Sequence, residues 1–520
     1  MQRNVRSLFI LPLPMATLHE LIHSLDRYAC VSFREFAGKG KKDALDLKLF
    51  DYYLEFPEAP AGELMQKLYG TENRPAFKHT QKRLLEKLAR FYQLLRTYEQ
   101  DDVPDPMSEY HVATTLLHKH AWEGAATFFR KAEEAAVATR NYNLLESIYT
   151  TQLPHLTDLG VDCAAFLARR EANLARHQSW CRLSTAYSVL NERQKAAARE
   201  GKALNREAAL NEARRMWRPN AEEARDPAFM HHFVRLIRRI AVSTKSYKHF
   251  EIFAGRTYRN LVRKGAFQPA DIALQVDMLY MLAHAQYRNA RFDEALEHIA
   301  TAEALIGGRP VVPVTSVRKL AALRASVYNY TGRIQEAVKL MEQELARRKP
   351  HETDRELLNI QLSLAAYYYN AREYKKAVRT LNTFPHDNNV LTRLMGVEWR
   401  FKKELFELIS FYDRGHYDEA ESHLKRMRTY YSTFFGEEQY ARAKVYLSHV
   451  AEMVRNPNIV NTDDFRQRLK SAQLERPHDH EDLQAIPFHC WVTSKVFKRD
   501  YYEVLLHAIK WKRGEMEKKD

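Results

Sequence analysis

The chain has 520 residues, with 81 Lys and Arg against 66 Asp and Glu and a net charge of +15, a length that suits about three ordinary domains or a single array of stacked repeats. Its 16 Gly and 18 Pro are roughly half of ordinary usage, which fits long helices joined by short turns, and no sustained alternation of Val, Ile and Thr marks a strand. Cys30, Cys163, Cys181 and Cys490 are dispersed, excluding a disulfide framework or C-x-x-C zinc knuckle, and no stretch approaches the ~20 apolar residues needed to span a bilayer, so a cytoplasmic protein is expected.

The longest apolar candidate, Leu8 to Leu18, is broken by Pro12 and Pro14 and has no small-residue cleavage site after it. Residues 1–14 therefore read as a disordered extension, with Met15 as the true start. Residues 15–104 read as an N-terminal helical cap, with helices over Thr17 to Arg27, Ala44 to Phe56, Ala61 to Tyr69 and Phe77 to Tyr98. Pro57 and Pro60 end the second of these, because proline lacks the amide donor and crowds the preceding turn. The last helix has Leu84, Leu85, Leu88, Phe91, Leu94 and Leu95 on one face and Lys78, Lys82, Arg83, Lys87 and Arg90 on the other. A short helix, a turn and a basic helix describe a helix-turn-helix, and equally any amphipathic hairpin.

Residues 105–160 begin a repeat logic, with Ala113 and Leu116 in one helix and Trp122, Ala125, Phe129 and Ala132 in the next. Residues 161–226 are charged and alanine-rich, closed by Pro219 and Pro227, and predict a long basic hairpin of two antiparallel helices. Across 161–264 there are 22 Lys and Arg against 10 Asp and Glu. Arg214, Arg215, Arg218, Arg235, Arg238 and Arg239 mark a candidate basic patch there. Such a stripe suits phosphate or acidic protein, but no nucleic-acid module accompanies it, and a solvated face is the plainer reading. The pair His231-His232 is expected at a half-exposed helix start.

Residues 227–455 repeat one short pattern, an aromatic or Ile followed three residues later by Ala, at Phe292/Ala295, Ile334/Ala337, Tyr374/Ala377 and Tyr417/Ala420. The alanines stand 42, 40 and 43 residues apart, the mark of stacked helical hairpins. Two helices joined by a tight turn approach closely only where small side chains cross, which is the expected work of Ala283 and Ala295, with Phe292 filling the gap at the turn.

These residues resemble the tetratricopeptide repeat, in which a small residue is followed by an aromatic three positions later and an alanine twelve positions later. Ala325/Tyr328/Ala337 and Ala365/Tyr368/Ala377 match; Ala283/Ala295 has its aromatic displaced to Tyr287, and the last unit has Leu408 at the small position. The period exceeds the usual length of about 34 residues. The resemblance implies an all-α, tetratricopeptide-like α-solenoid, a right-handed superhelix whose first helices line a concave groove. Residues between the small positions then face the groove: Tyr280, His284, Tyr287, Lys319, Asn329, Asn359, Tyr369, Lys402 and Tyr412. Asn can clamp a peptide backbone there and Lys can meet a carboxylate, while any single tyrosine can equally pack between hairpins. A further resemblance, to a family of Bacteroidetes helical-repeat proteins with no known activity, rests on Leu18 to Leu25, Leu47 to Asp51, Lys82 to Tyr92, Trp491 to Lys495 and Tyr502 to Val504.

Residues 456–520 read as a linker and a capping helix. The run Arg476 to Asp482, followed by His489-Cys490, offers metal-ligand types, but its spacing matches no familiar site and it reads as a polar loop. No phosphate-binding, nucleophile-elbow, zinc-protease or dinucleotide motif is present, so no catalytic residue, cofactor or metal is expected. The expectation is an intracellular protein-interaction scaffold that binds a peptide or partner helix without chemistry. The alternative is a nucleic-acid-associated regulator acting through the cap or through segment 161–264.

Overall fold

The computed structural model describes residues 18, 21–22, 25, 27–38, 44–56, 59–98, 105–200, 205–307, 312–348, 355–384, 387–432, 441–471 and 486–514. The expected extension at 1–14 and the polar run Arg476 to Asp482 lie outside them. Among the described residues there are 24 α-helices and no strand. Residues 1–174 and 175–520 form two compact units.

The first unit opens with α1 (Arg27–Ala37), α2 (Leu45–Glu55), α3 (Ala61–Tyr69) and α4 (Arg74–Tyr98). They close around Ile22, Phe33, Leu49, Phe50, Leu64, Leu84 and Leu88. α5 (Pro106–His118) and α6 (Trp122–Ala138) then pack as a close pair, followed by α7 (Tyr142–Gln152). Asp105 caps α5 by accepting from the Met107 and Ser108 amides, with Pro106 in the first turn, where its missing N–H would be unpaired anyway.

α8 (Cys163–Glu200) begins in the first unit and ends in the second. Its 38 residues are one helix, followed by the 11-residue α9 (Arg206–Met216). The expected hairpin of two long helices is therefore one long and one short. Within the second unit Trp217, just past α9, donates its indole N–H to the Ser179 hydroxyl at 2.8 Å, pinning α9 back on α8.

Paired helices follow: α10 (Pro227–Ser243) with α11 (Tyr247–Arg263), α12 (Ile272–Arg288) with α13 (Phe292–Ile306), and α14 (Val314–Tyr330) with α15 (Ile334–Ala346). Next come α16 (Arg355–Asn370) with α17 (Tyr374–Asn382), then α18 (Asn388–Met395), and α19 (Val397–Asp413) with α20 (Tyr417–Tyr430). First helices also touch in succession, α10 on α12, α12 on α14 and α14 on α16. The chain continues with α21 (Ala441–Arg455), α22 (Asp463–Ser471), α23 (Ile486–Val496) and α24 (Tyr501–Lys512).

The turns repeat as faithfully as the helices. Lys245, Ala290, Gly332, Arg372 and Gly415 all have positive φ, of 54°, 59°, 85°, 64° and 75°. Each stands two residues before the first residue of the second helix, Tyr247, Phe292, Ile334, Tyr374 or Tyr417. A left-handed residue lets the chain reverse at once, so the aromatic or Ile that begins the next helix falls at a constant place.

The crossing alanines behave as their size requires. Ala283, Ala295, Ala325, Ala337, Ala365, Ala377 and Ala420 are buried, as are Leu408 and Phe292. The turn aromatics do not all plug the gap: Tyr374 and Tyr417 are 48% and 37% exposed, each resting an edge on a tyrosine of the preceding helix, Tyr369 at 5.2 Å and Tyr412 at 5.4 Å. Tyr328 is half-buried beneath the Arg333 guanidinium, 3.8 Å from its ring centre. A phenol carries a hydroxyl that favours water, which a phenylalanine does not.

Candidate ligand cavity

The last helical pair does more than end the chain. Phe488, Trp491, Val492 and Val496 of α23 sit in the apolar cluster of α16, α19 and α20, whereas Cys490, Leu505, Ala508 and Ile509 join the cluster of α12, α13 and α14. The C-terminal hairpin thus bridges two cores. The Asp413 carboxylate, at the end of α19, accepts from the Tyr369 hydroxyl and from the Trp491 indole N–H at 3.1 Å. Lys495 lies 2.7 Å from its other oxygen. The Tyr502 hydroxyl donates to the Asn329 carbonyl at 2.6 Å, and Arg372 pairs with Asp500 at 2.7 Å.

Between this hairpin, the first helices α12, α14, α16 and α19, and the α10–α11 turn lies a cavity of about 350 Å³. That is the lower part of the range of small-ligand sites. Its lining mixes apolar side chains, Leu362, Ala366, Phe406, Phe488 and Leu505, with polar ones, Ser326, Asn329, Asn359, Ser363, Asn370, Glu398 and Lys402. Glu398 stands 3.2 Å from Lys402 and 3.8 Å from Lys245, and the Arg288 guanidinium covers the Tyr247 ring at 4.4 Å. The lining thus carries three cationic side chains and one carboxylate, a balance that favours an anionic group.

Two of the lining amides form a pair. Asn329 and Asn370 are only 4% and 6% exposed, and the Asn370 amide N–H donates to the Asn329 side-chain oxygen at 2.6 Å. The Asn370 side-chain oxygen has no hydrogen-bond partner among the described residues. Whichever way the two amides are turned, their mutual bond consumes one donor and one acceptor, leaving an amide oxygen and an NH2 group. Three turns back along α16, the Asn359 oxygen accepts the Trp399 indole N–H at 2.9 Å. The Tyr367 hydroxyl shares a 3.0 Å hydrogen bond with Ser326, and burial pushes the phenol up to about 12.

Of the nine groove residues expected from the sequence, the cavity gathers Tyr287, Asn329, Asn359 and Lys402. Tyr369 and Tyr412 instead lie beneath the C-terminal hairpin, against Tyr501 at 5.3 Å and Trp491 at 5.3 Å. Lys319 is engaged by Glu356 at 3.5 Å. Tyr280 and His284 stack on one another, at 6.0 Å, outside the cavity. Sequence reasoning missed Asn370, Asp413 and Trp399. Asn370 carries a weak signal, since it ends α16 where Tyr330 ends α14, but nothing in the local pattern of Asp413 announces a partner 78 residues away.

The basic patch divides. Arg235 and Arg239 hydrogen-bond the Tyr187 hydroxyl at 3.2 Å and 3.0 Å, and Arg238 covers the Tyr280 ring at 5.3 Å. All three are thereby packed between helices, whereas Arg214, Arg215 and Arg218 are exposed. The His231-His232 pair lies within α10 rather than at an exposed start. His231 is buried with its Nε2 2.7 Å from Asp277, and His232 lies against the Trp180 and Tyr187 rings. Burial, with Arg235 and His231 alongside, holds His232 down at about 4.

Comparison with models of known protein families gives no match, and no curated protein matches the chain. Among the described residues no helix is long and apolar enough to cross a membrane.

Proposed function

We propose that the protein is an intracellular binding scaffold of tetratricopeptide-like hairpins, a right-handed α-solenoid that holds a short peptide segment in the cavity between its first helices and its C-terminal hairpin. The relation to Bacteroidetes helical-repeat proteins belongs to the same proposal. The observation that carries it is the Asn329/Asn370 pair, buried on the cavity wall with one amide oxygen unpartnered. A buried acceptor without a donor costs about 1–3 kcal/mol; the Asn370 oxygen is closed to solvent as the cavity stands, so the amide pair reorients to meet the N–H and C=O of a peptide unit. Lys402, Lys245 and Arg288 suit a carboxylate on the same segment. A cavity of about 350 Å³ lined in part by the C-terminal hairpin suits a short segment better than a helix. Recognition of this kind needs no cofactor and no chemistry.

The test is selection from a random peptide library, followed by titration calorimetry of the enriched sequences. Asn359→Ala, Asn370→Ala and Lys402→Ala are each expected to weaken binding at least tenfold. Failure to enrich any peptide, or binding indifferent to all three substitutions, refutes the reading.

A further inference from the structure

The N-terminal cap carries a second surface, independent of the cavity. α2 packs against both α3 and α4, whose inward residues Leu64, Phe77, Leu84, Leu88 and Phe91 are buried. Only Gly70 to Asn73 separate α3 from α4. Gly70 ends α3 with φ 71°, a conformation that a side chain makes costly. Tyr69 then ties the end of α3 to the start of α4: its hydroxyl donates to the Ala76 carbonyl at 3.1 Å and lies 2.7 Å from the Thr80 hydroxyl. The direction of α4 is therefore fixed by side-chain bonds as well as by its apolar face. A short helix, a tight glycine-containing turn and a second helix buried on one side have the element order of a DNA-reading helix-turn-helix, an order shared with other amphipathic hairpins.

The outer face of α4 is basic and unengaged. Arg74, Lys78, His79, Lys82 and Arg90 are exposed, and Glu86 is the sole carboxylate between positions 74 and 90. No ion pair of Arg74, Lys78, Lys82 or Arg90 occurs among the described residues. Arg83 and Lys87, one step around the helix, are held by the buried Asp46 at 3.9 Å and 2.9 Å. Much of the arginine in the central segment is already occupied: Arg169 pairs with Glu133 at 3.0 Å and Arg170 with Glu146 at 2.7 Å, and Arg176 and Arg193 pair with Glu222 and Glu212. Charge without local partners is what a phosphate backbone can neutralise.

We propose that this face of α4 binds duplex DNA, its first turns entering the major groove while α3 crosses the backbone. At a rise of 1.5 Å per residue, Arg74 to Lys82 covers about 12 Å and Arg74 to Arg90 about 24 Å. A helix about 10–12 Å across fits a major groove about 12 Å wide. Lys78, His79 and Lys82 lie on the part of α4 that enters the groove, and Arg90 lies where the helix leaves it toward phosphate.

The test uses the full chain and fluorescence anisotropy, with a labelled duplex of about 25 base pairs made once as DNA and once as RNA of the same sequence, titrated at salt from about 50 to 200 mM. Two triple variants remove equal charge: Arg74→Gln with Lys78→Gln and Lys82→Gln, and Arg214→Gln with Arg215→Gln and Arg218→Gln. The α4 variant is expected to lose at least tenfold in DNA affinity and to flatten the dependence of log K on log salt by about 2–3. The α9 variant is expected to stay within about twofold of the parent. DNA should also be preferred to RNA, because the deep, narrow major groove of an A-form duplex excludes a helix. Equal losses in the two variants reduce the effect to generic positive charge and overturn the proposal. RNA bound as tightly as DNA, or no DNA binding at all, overturns it too. Among the described residues none of the six makes a tertiary bond, Arg218 donating only to the Arg214 carbonyl one turn back, and circular dichroism of both variants is expected to match the parent.

Discussion

Replacing Asp413 with alanine is expected to loosen the C-terminal hairpin without unfolding the rest of its unit. The carboxylate accepts from Tyr369 and Trp491, which are 5% and 1% exposed, and faces Lys495, whose side chain is 31% exposed. Removing an acceptor from a buried donor costs about 1–3 kcal/mol, so the phenol and indole together contribute about 2–6 kcal/mol. Lys495 turns to water and adds less than about 1 kcal/mol. A total of about 3–5 kcal/mol agrees with the loss measured when one partner of a buried charged cluster is deleted. Asp413→Asn retains an acceptor and should cost about half as much. Because the chain has two compact units, a single melting curve mixes them. The assay is therefore native-state hydrogen exchange, read at the amides of Tyr501–Lys512 against those of Arg27–Ala37. Protection in the hairpin should fall by two or more orders of magnitude in Asp413→Ala, with no change in the N-terminal helix. Unchanged exchange at Tyr501–Lys512 refutes Asp413 as the anchor.

Gly415→Ala should cost about 1 kcal/mol through backbone strain alone, since φ is 75° and an added methyl group meets nothing within 4 Å; urea unfolding of the second unit measures it, and a neutral result contradicts the left-handed turn. His232, whose ordinary value of 6.5 is held down to about 4 by burial, binds fewer protons folded than unfolded between those values. Its contribution is thus complete above pH 7 and lost as pH falls from about 6.5 to 4, roughly 2 kcal/mol after discounting for residual exposure. His232→Phe keeps the ring among Trp180 and Tyr187 and should flatten the stability profile across that window; an identical slope in the variant excludes this histidine as its source.

Local physics wrote the helices and their turns into the sequence. Alanine at 295, 337, 377 and 420 can occupy only a close crossing, and the pattern survives translation because a small residue, a reversal and an apolar first residue are local requirements. The same locality explains the differences: local pattern does not distinguish Tyr374 and Tyr417, which stay partly exposed, from Phe292, which is buried. Nor can it show that His231 turns inward to Asp277 across 46 residues, or that Arg235 and Arg239 spend their charge on Tyr187.

The amino-acid sequence by itself determined that this chain is helical, paired and closely crossed, because those properties depend on side-chain size and period within about 40 residues. Tertiary structure alone decided what the first helices came to face. The C-terminal hairpin covers Tyr369 and Tyr412, recruits Asp413 and leaves a cavity walled by Asn329 and Asn370. Contacts between residues as distant as Asn329 and Tyr502, 173 apart, leave no periodic trace in the chain, since each partner needs only to be in reach once everything between them has folded.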